Sequence, residues 1–358
     1  MAIKYKWLGE ILREWIQKNI ALGNVRLPSE MELCTKYKVS RQTVRLTLSI
    51  LEQEGLIEKR HGSGSYITGL SSDSSANTIG ILISNKDEYL YPSLLEDITS
   101  SLKAYGYSCK IWETGNEVAK ERKVLTELTQ NPLRAILAEG CKSALPNPNL
   151  SLYKKLQETG TTILFLHNYY PELTDSLYIK DDNLSGSEQL IRHLVKYGHT
   201  SISGIFKSDD LQGIERYKGF YETLTNLGLP IADNNVGWFT TRELNRLQAT
   251  QDTIFLKTFI KESLTDCTAV VCYNDEIAYW LIRELQLLGY ELPQDMTVVS
   301  FDNTYLSTSG PLSVTSLSHK LHETGQTAAQ MIIDKLKGLP VVSQEIPWFL
   351  VERESSDT

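Results

Sequence analysis

Hydrophobic and polar positions alternate with three different rhythms along this chain. In the first stretch Trp7, Leu8, Ile11, Leu12, Trp15 and Ile16 recur every three or four residues, which predicts a helix with one apolar face and places both tryptophans in a core. Leu27-Pro28-Ser29 interrupts it. Ser29 followed by Glu32 reads as a capping box opening a short helix that ends near Tyr37. Ser40 is a second cap, and Val44, Leu48 and Leu51 form the stripe of a third helix that stops before Gly55. Residues 56–60 and 65–68 read as two strands joined by His61-Gly62-Ser63-Gly64.

Residues 70–77 are small and polar and predict a flexible linker, so the chain divides into 1–69, 70–77 and 78–358. Beyond it apolar runs predict strands at 79–83, 108–112, 135–138, 162–166, 202–206, 269–272 and 297–301. Helical patterns fall between them at 94–105, 187–197, 216–227, 276–288 and 322–336, and Gly106, Gly160, Gly198, Gly228 and Gly289 stand at helix ends. Repeated strand–helix units predict a parallel sheet covered on both faces. Some 280 residues are too many for one such sheet, so two lobes are expected, with a ligand between them at the carboxyl ends of the strands. The fold class is α/β: a small winged helix-turn-helix domain plus a two-lobed, parallel-sheet effector domain.

Charge sharpens this division. The net charge of -8 argues against nucleic-acid binding when taken whole. Residues 1–70, however, hold 11 Lys+Arg against 7 Asp+Glu, a local +4 that leaves -12 for the remainder. No apolar run nears the ~18 residues of a bilayer span, and charges interrupt the N-terminal apolar pattern, so neither a membrane helix nor a secretory signal is expected. Five scattered cysteines without a Cys-x-x-Cys pair predict reduced, mostly buried thiols in a cytoplasmic protein, with no metal and no cofactor.

A recognition helix needs a polar, basic first turn, because that end enters the major groove. Ser40, Arg41, Gln42, Thr43 and Arg45 supply it. Arg pairs with guanine and Gln with adenine, while Ser40 and Thr43 suit phosphate oxygens. The tip formed by His61, Gly62, Ser63 and Gly64 lacks bulk and lets backbone amides approach a phosphate or the minor groove. Ser29 and Glu30, at the start of the preceding helix, are further candidates to contact DNA. Glu30 either favours that helix's positive end or accepts from a cytosine amino group. The segment LPSEMELCTKYKVSRQTVRLTLSILEQEGLIEKRHGSGSYI resembles the GntR family of bacterial repressors, which implies a dimer reading a two-fold operator with Arg41, Gln42, Arg45 and the wing tip near base edges.

The remainder carries no Gly-x-Gly-x-x-Gly after a strand, no P-loop, no Gly-x-Ser-x-Gly and no His-Glu-x-x-His. Asp181-Asp182 and Asp209-Asp210 read as cap and solvent residues rather than an acid/base pair. Five strand ends instead deliver polar groups to one edge: Glu139; His167-Asn168; Lys207, Asp209, Gln212 and Arg216; Asn274-Asp275; and Asp302-Asn303. Paired acceptors and donors of this kind suit the vicinal hydroxyls of a sugar. Tyr89, Tyr91, Tyr169 and Tyr273 are candidates to stack on it, and Asp275 also reads as a plain helix cap.

LIRHLVKYGHTSISGI, Arg216-x-x-Gly219-Phe220, AVVCYNDEIAYWLIRELQLLG and the stretch from Pro293 to Asp302 resemble the LacI-type regulators and periplasmic sugar-binding proteins. That resemblance implies effector contacts at Arg216, Asn274, Asp275 and Asp302. The chain departs from LacI-type proteins in its GntR-type headpiece, without their hinge helix, and in a short tail without heptads, so a tetramer is not expected. The uncommon pairing is similar to the arabinose-responsive repressors of Gram-positive bacteria, a likeness extended by AILAEGCKSALPNPN and GIFKSDDLQGIERYKGF. It implies a non-enzymatic repressor, dimeric on operator DNA and released by L-arabinose, with Glu139, Lys207, Asp209 and Gln212 as further sugar contacts. His61 stands where glutamine is expected from that likeness, which leaves open the base read by the wing. The alternative is the same architecture sensing another pentose or hexose.

Overall fold

The structure is a computed structural model that describes residues 2–21, 26–54, 56–60, 64–67, 77–86, 90–174 and 176–357. The linker at 70–76, the wing-tip residues His61, Gly62 and Ser63, and Tyr89 lie outside the described residues.

The N-terminal domain has helices α1 (Ala2–Ala21), α2 (Glu30–Tyr37) and α3 (Arg41–Gln53), then antiparallel strands β1 (Ile57–Arg60) and β2 (Gly64–Ile67). Leu8, Leu12 and Ile16, one turn apart on α1, bury against Leu33, Val44, Leu48, Leu51, Ile57 and Ile67. Trp15 packs at the border of this cluster. Trp7 corrects the sequence reading. It precedes the buried stripe by one position, about 100° round the helix, and stands 45% exposed, edge-on to Tyr37.

The second domain is two lobes, each built on a six-stranded sheet. The first lobe contains β3 (Thr78–Ile83), α4 (Tyr91–Ala104), β4 (Ser108–Glu113), α5 (Val118–Gln130), β5 (Ala135–Ala138), α6 (Leu150–Glu158), β6 (Thr162–Leu166) and β7 (Leu177–Asp181). The second contains α7 (Asn183–Lys196), β8 (Ile202–Lys207), α8 (Leu211–Asn226), β9 (Val236–Phe239), α9 (Thr241–Thr250), α10 (Ile254–Ser263), β10 (Ala269–Cys272), α11 (Asp275–Leu287), β11 (Thr297–Phe301), α12 (Leu306–Ser309) and β12 (Thr315–Ser318). The chain then returns to the first lobe for α13 (Glu323–Leu336) and β13 (Gln344–Ile346), and ends in the second with β14 (Phe349–Val351).

The sheet orders are β13-β7-β6-β5-β3-β4, all parallel, and β14-β12-β11-β10-β8-β9, parallel except for β14. Central strands such as β5 (AILA) and β10 (AVVC) are buried throughout, as continuous apolar runs sandwiched between helices must be. The chain crosses between lobes three times, after Asp181, after Ser318 and after Ile346.

All seven expected strands form. Helices start earlier than the apolar rhythm suggests where a polar cap precedes it: Asp182 accepts from Ser185 N and Asp210 from Gly213 N, so α7 and α8 begin at Asn183 and Leu211. Asp182 and Asp210 are thus the caps that sequence suggested. Asp181 and Asp209 are not solvent residues: both are buried between the lobes.

Candidate functional site

The headpiece presents α3 as expected. Ser40 caps it, its Oγ accepting from Thr43 N at 3.2 Å and lying 2.8 Å from the Thr43 hydroxyl. Val44, Leu48 and Leu51 face inward, so Gln42 and both arginines face solvent. Arg41 and Arg45 side chains are 72% and 71% exposed. Glu30, in the first turn of α2, lies between them, 3.1 Å from Arg41 Nε and 3.7 Å from Arg45 Nε. The ion-pair partners of Glu30 were not foreseen, because α2 and α3 meet only in three dimensions. Ser29 closes the capping box, accepting from Glu32 N at 3.3 Å while its own amide donates to Glu32 Oε2 at 2.7 Å. Of the wing tip, Gly64 is described, at φ +112°, a conformation that favours glycine.

The second constellation gathers where the strand ends of the two lobes face each other. Arg216, 1% exposed, is its centre. Nε donates to Asn183 Oδ1 at 3.0 Å, Nη1 to the Tyr273 carbonyl, and Nη2 lies 3.2 Å from Asp302 and 3.6 Å from Asp181. The guanidinium packs 4.2 Å from the Phe301 ring centroid and 5.0 Å from that of Tyr273. Gly213 lets α8 approach this closely: a Cβ there would stand 1.9 Å from the Lys207 carbonyl oxygen. Asp302 is held at φ +95°, a strained backbone for a non-glycine residue.

Around this centre Gln212 donates to Asp181 at 2.7 Å and accepts from Tyr273 OH, which also donates to Asp210 at 2.9 Å. Lys207 pairs with Asp210 at 2.9 Å. Glu139 accepts from Tyr91 OH at 2.5 Å and Ser84 N at 2.7 Å, with His167 Nδ1 3.9 Å away. Burial opposes the charge of both Glu139 and His167, yet their mutual attraction prevails: the carboxyl is held below its ordinary value and the imidazole above. Asp209 accepts from Thr241 N and Lys142; despite burial, Lys207 and Lys142 hold its carboxyl low.

The structure therefore assembles Glu139, His167, Lys207, Asp209, Gln212, Arg216, Tyr273 and Asp302 in one cleft. Asn274 and Asp275 stand at the start of α11. Asn274 Oδ1 caps α11 through Ile277 N at 3.0 Å. Asp275 is fully buried and turned inward, accepting from Ser300 at 2.5 Å, Ser316 at 2.7 Å and Thr304 N at 2.6 Å. Burial and the Asp302 charge push its carboxyl up to about 6. Asp181, Asn183, Lys142 and His319 join the cleft without having been expected there. Asp181 carried a signal, the end of a strand before a capping Asp, but β7 was not recognised.

Several contacts bridge the lobes: Lys142 with Asp209, Gln212 with Asp181, Leu211 N with Ser143 Oγ at 2.9 Å, and Asn116 with Thr241. The cleft is closed. It brings together paired donors and acceptors, with Tyr91 and Tyr273 buried among them. Among the described residues no cluster of three His, Cys, Asp or Glu could hold a metal ion, and no helix is long and apolar enough to cross a membrane.

Residues 4–67 match the family of bacterial regulatory proteins of the gntR type, and residues 191–356 match the periplasmic binding protein-like domain. The chain is similar to the arabinose metabolism transcriptional repressors of Geobacillus stearothermophilus, at 30% identity over 93% of this chain and 91% of that one, and of Halalkalibacterium halodurans, at 29% over 93% and 89%. In fold it resembles the transcriptional regulator CelR in complex with cellobiose (TM-score 0.66, 20% identity, 88% of this chain and 91% of that one). It likewise resembles a periplasmic binding protein/LacI transcriptional regulator from Alkaliphilus metalliredigens complexed with D-xylulofuranose (0.65, 20%, 79% and 100%). The chain, a gntR-type headpiece joined to a periplasmic-binding-protein-like domain, belongs to the family of the arabinose metabolism transcriptional repressors: it is a DNA-binding regulator, not an enzyme.

Proposed function

We propose that this protein is a cytoplasmic homodimer that represses arabinose-utilisation genes and is released from its operator by L-arabinose. The observation that carries the reading is the buried Arg216 between Asp181 and Asp302, with Gln212, Lys207, Glu139 and His167 around it. Each vicinal pair of sugar hydroxyls can donate to a carboxylate and accept from the arginine or lysine beside it, and these charge-assisted bonds replace water inside a closed cleft. Tyr91 and Tyr273 supply aromatic walls. Asp275 acts as a positioning residue that holds the start of α11 rather than as a sugar contact, while Asn274, whose Oδ1 caps α11, stays among the sugar contacts through its amide group.

In the headpiece, Arg41, Gln42 and Arg45 read bases, Ser40 and Thr43 meet phosphates, and the wing tip at His61, Gly62, Ser63 and Gly64 approaches the adjacent groove. Ser29 and Glu30 orient this surface. The sugar favours the closed form, and closure reorients the headpieces relative to the two half-sites. It shifts the population only by its differential affinity for the two forms. The same architecture sensing another sugar is the competing reading. Calorimetry with L-arabinose, D-xylose, D-ribose, D-galactose and D-glucose separates the two: heat with L-arabinose alone is expected, and heat with a different sugar alone overturns the arabinose assignment.

A further inference from the structure

The three inter-lobe crossings meet at one side chain. His319 lies on the second crossing. Its Nε2 is 2.9 Å from Asp181 Oδ1 on the first, and its Nδ1 is 3.0 Å from the Pro347 carbonyl on the third. Its ring stacks on Trp348, also on the third, at 3.6 Å between centroids and 23° between planes. Both ring nitrogens thus face atoms that can only accept. A neutral imidazole has one N–H, so both bonds exist together only in the imidazolium. Asp181 in turn accepts from Gln212 with its other oxygen and stands 3.6 Å from Arg216.

We propose that His319 is a positioning residue of the effector cleft: its imidazolium ties the three crossings together and aims Asp181 at Gln212 and Arg216, so that effector affinity depends on its charge. The proposal rests on the reading of this cleft as the effector site. The charged groups that bear on the ring are Asp181 at the end of β7, Asp302 after β11, and, across Asp181, Arg216 of α8 and His167 after β6. Burial disfavours the imidazolium, but Asp181, the Pro347 carbonyl and Asp302 outweigh it, and its pKa lies above the ordinary value. A group shifted this way contributes at low pH and loses its contribution as pH rises through its folded pKa.

Two measurements on the full chain test this. The first is L-arabinose calorimetry from about pH 6 to 9 on the wild type and on His319→Gln, whose uncharged amide donates from a single nitrogen and does not span the two acceptors that the ring nitrogens reach. Wild-type affinity should fall as pH rises. His319→Gln should bind about tenfold more weakly at the acidic end, from loss of a charge-assisted bond, and show a flatter profile. His167 titrates in both proteins, so the difference between profiles is the readout. An unchanged affinity and an unchanged profile in a folded His319→Gln overturn the role. The second is imidazole nitrogen NMR, with His319 assigned by its loss in that variant. Two protonated nitrogens near pH 7 support the pin and a neutral ring there overturns it. If no sugar binds the wild type, the effector reading fails by itself, and the resonances still decide the state of the pin.

Discussion

Asn116 donates through Nδ2 to the Thr241 hydroxyl at 2.6 Å, and the two residues belong to opposite lobes. Asn116 also accepts from Lys142 N at 2.6 Å, and Thr241 N donates to Asp209. A buried hydrogen-bonded latch therefore closes the cleft beside the proposed sugar contacts. Thr241→Val keeps the side-chain shape but leaves Asn116 Nδ2 without this acceptor. A closed state weakened by about 1–1.5 kcal/mol should lower L-arabinose affinity roughly five- to tenfold. Calorimetry on the variant reads this; equal affinity would show that the latch does not control closure.

Arg216 neutralises Asp181 and Asp302 from a fully buried position. Arg216→Ala takes the buried cation away from Asp302 and leaves His319 beside Asp181, and should cost about 3–5 kcal/mol of stability. Arg216→Lys keeps the charge but not the fork that reaches Asn183 and the Tyr273 carbonyl together. It should stay folded, bind operator normally and lose sugar binding, giving a repressor that sugar does not release. Normal induction in Arg216→Lys would reject the arginine as the centre of the cleft.

Asp275 predicts a pH effect on stability. Its carboxyl stands at about 6 in the folded protein against 3.8 for an unperturbed group. Between those values the unfolded chain has lost a proton that the folded chain keeps, so this group makes stability fall as pH rises through the interval. Asp275→Asn lacks this term. Its stability relative to wild type should improve by on the order of 2–3 kcal/mol between about pH 4 and 7. Denaturant unfolding of both proteins at the two ends checks the sign, and a difference independent of pH contradicts the buried, raised carboxyl.

Arg45 lies on the solvent face of α3, so Arg45→Ala should leave stability within about 0.5 kcal/mol. Operator affinity should drop by about 1–3 kcal/mol, and discrimination at the base pair that the arginine reads should relax. Glu30→Ala frees both Arg41 and Arg45 from an exposed ion pair worth about 1 kcal/mol or less. Fluorescence anisotropy with operator DNA at several salt concentrations reads both variants; sugar binding should persist in each.

Most of the architecture was legible in the sequence because it rests on local rhythm. Runs such as AILA and AVVC, and capping signals such as Ser29 with Glu32, act within a few residues. What was missed depends on distant partners. β12 reads as TSLS, too polar for a buried strand, yet Ser316 bonds to Asp275 and the Thr315 hydroxyl to the Arg353 carbonyl. His319, Lys142 and Asn183 became site residues only when three separate crossings and two lobes came together. Asp275 was legible as a conspicuous acid at a strand end, but the direction of its side chain was not, since Ser300, Ser316 and Thr304 lie 25, 41 and 29 residues away.

Release by the sugar is read by titrating L-arabinose into the protein bound to fluorescent operator DNA and following anisotropy. L-arabinose should release the DNA, D-xylose and D-glucose at equal concentration should not, and Arg216→Lys should stay bound throughout. Operator that remains bound to the wild type while calorimetry shows L-arabinose in the cleft would contradict release by the sugar.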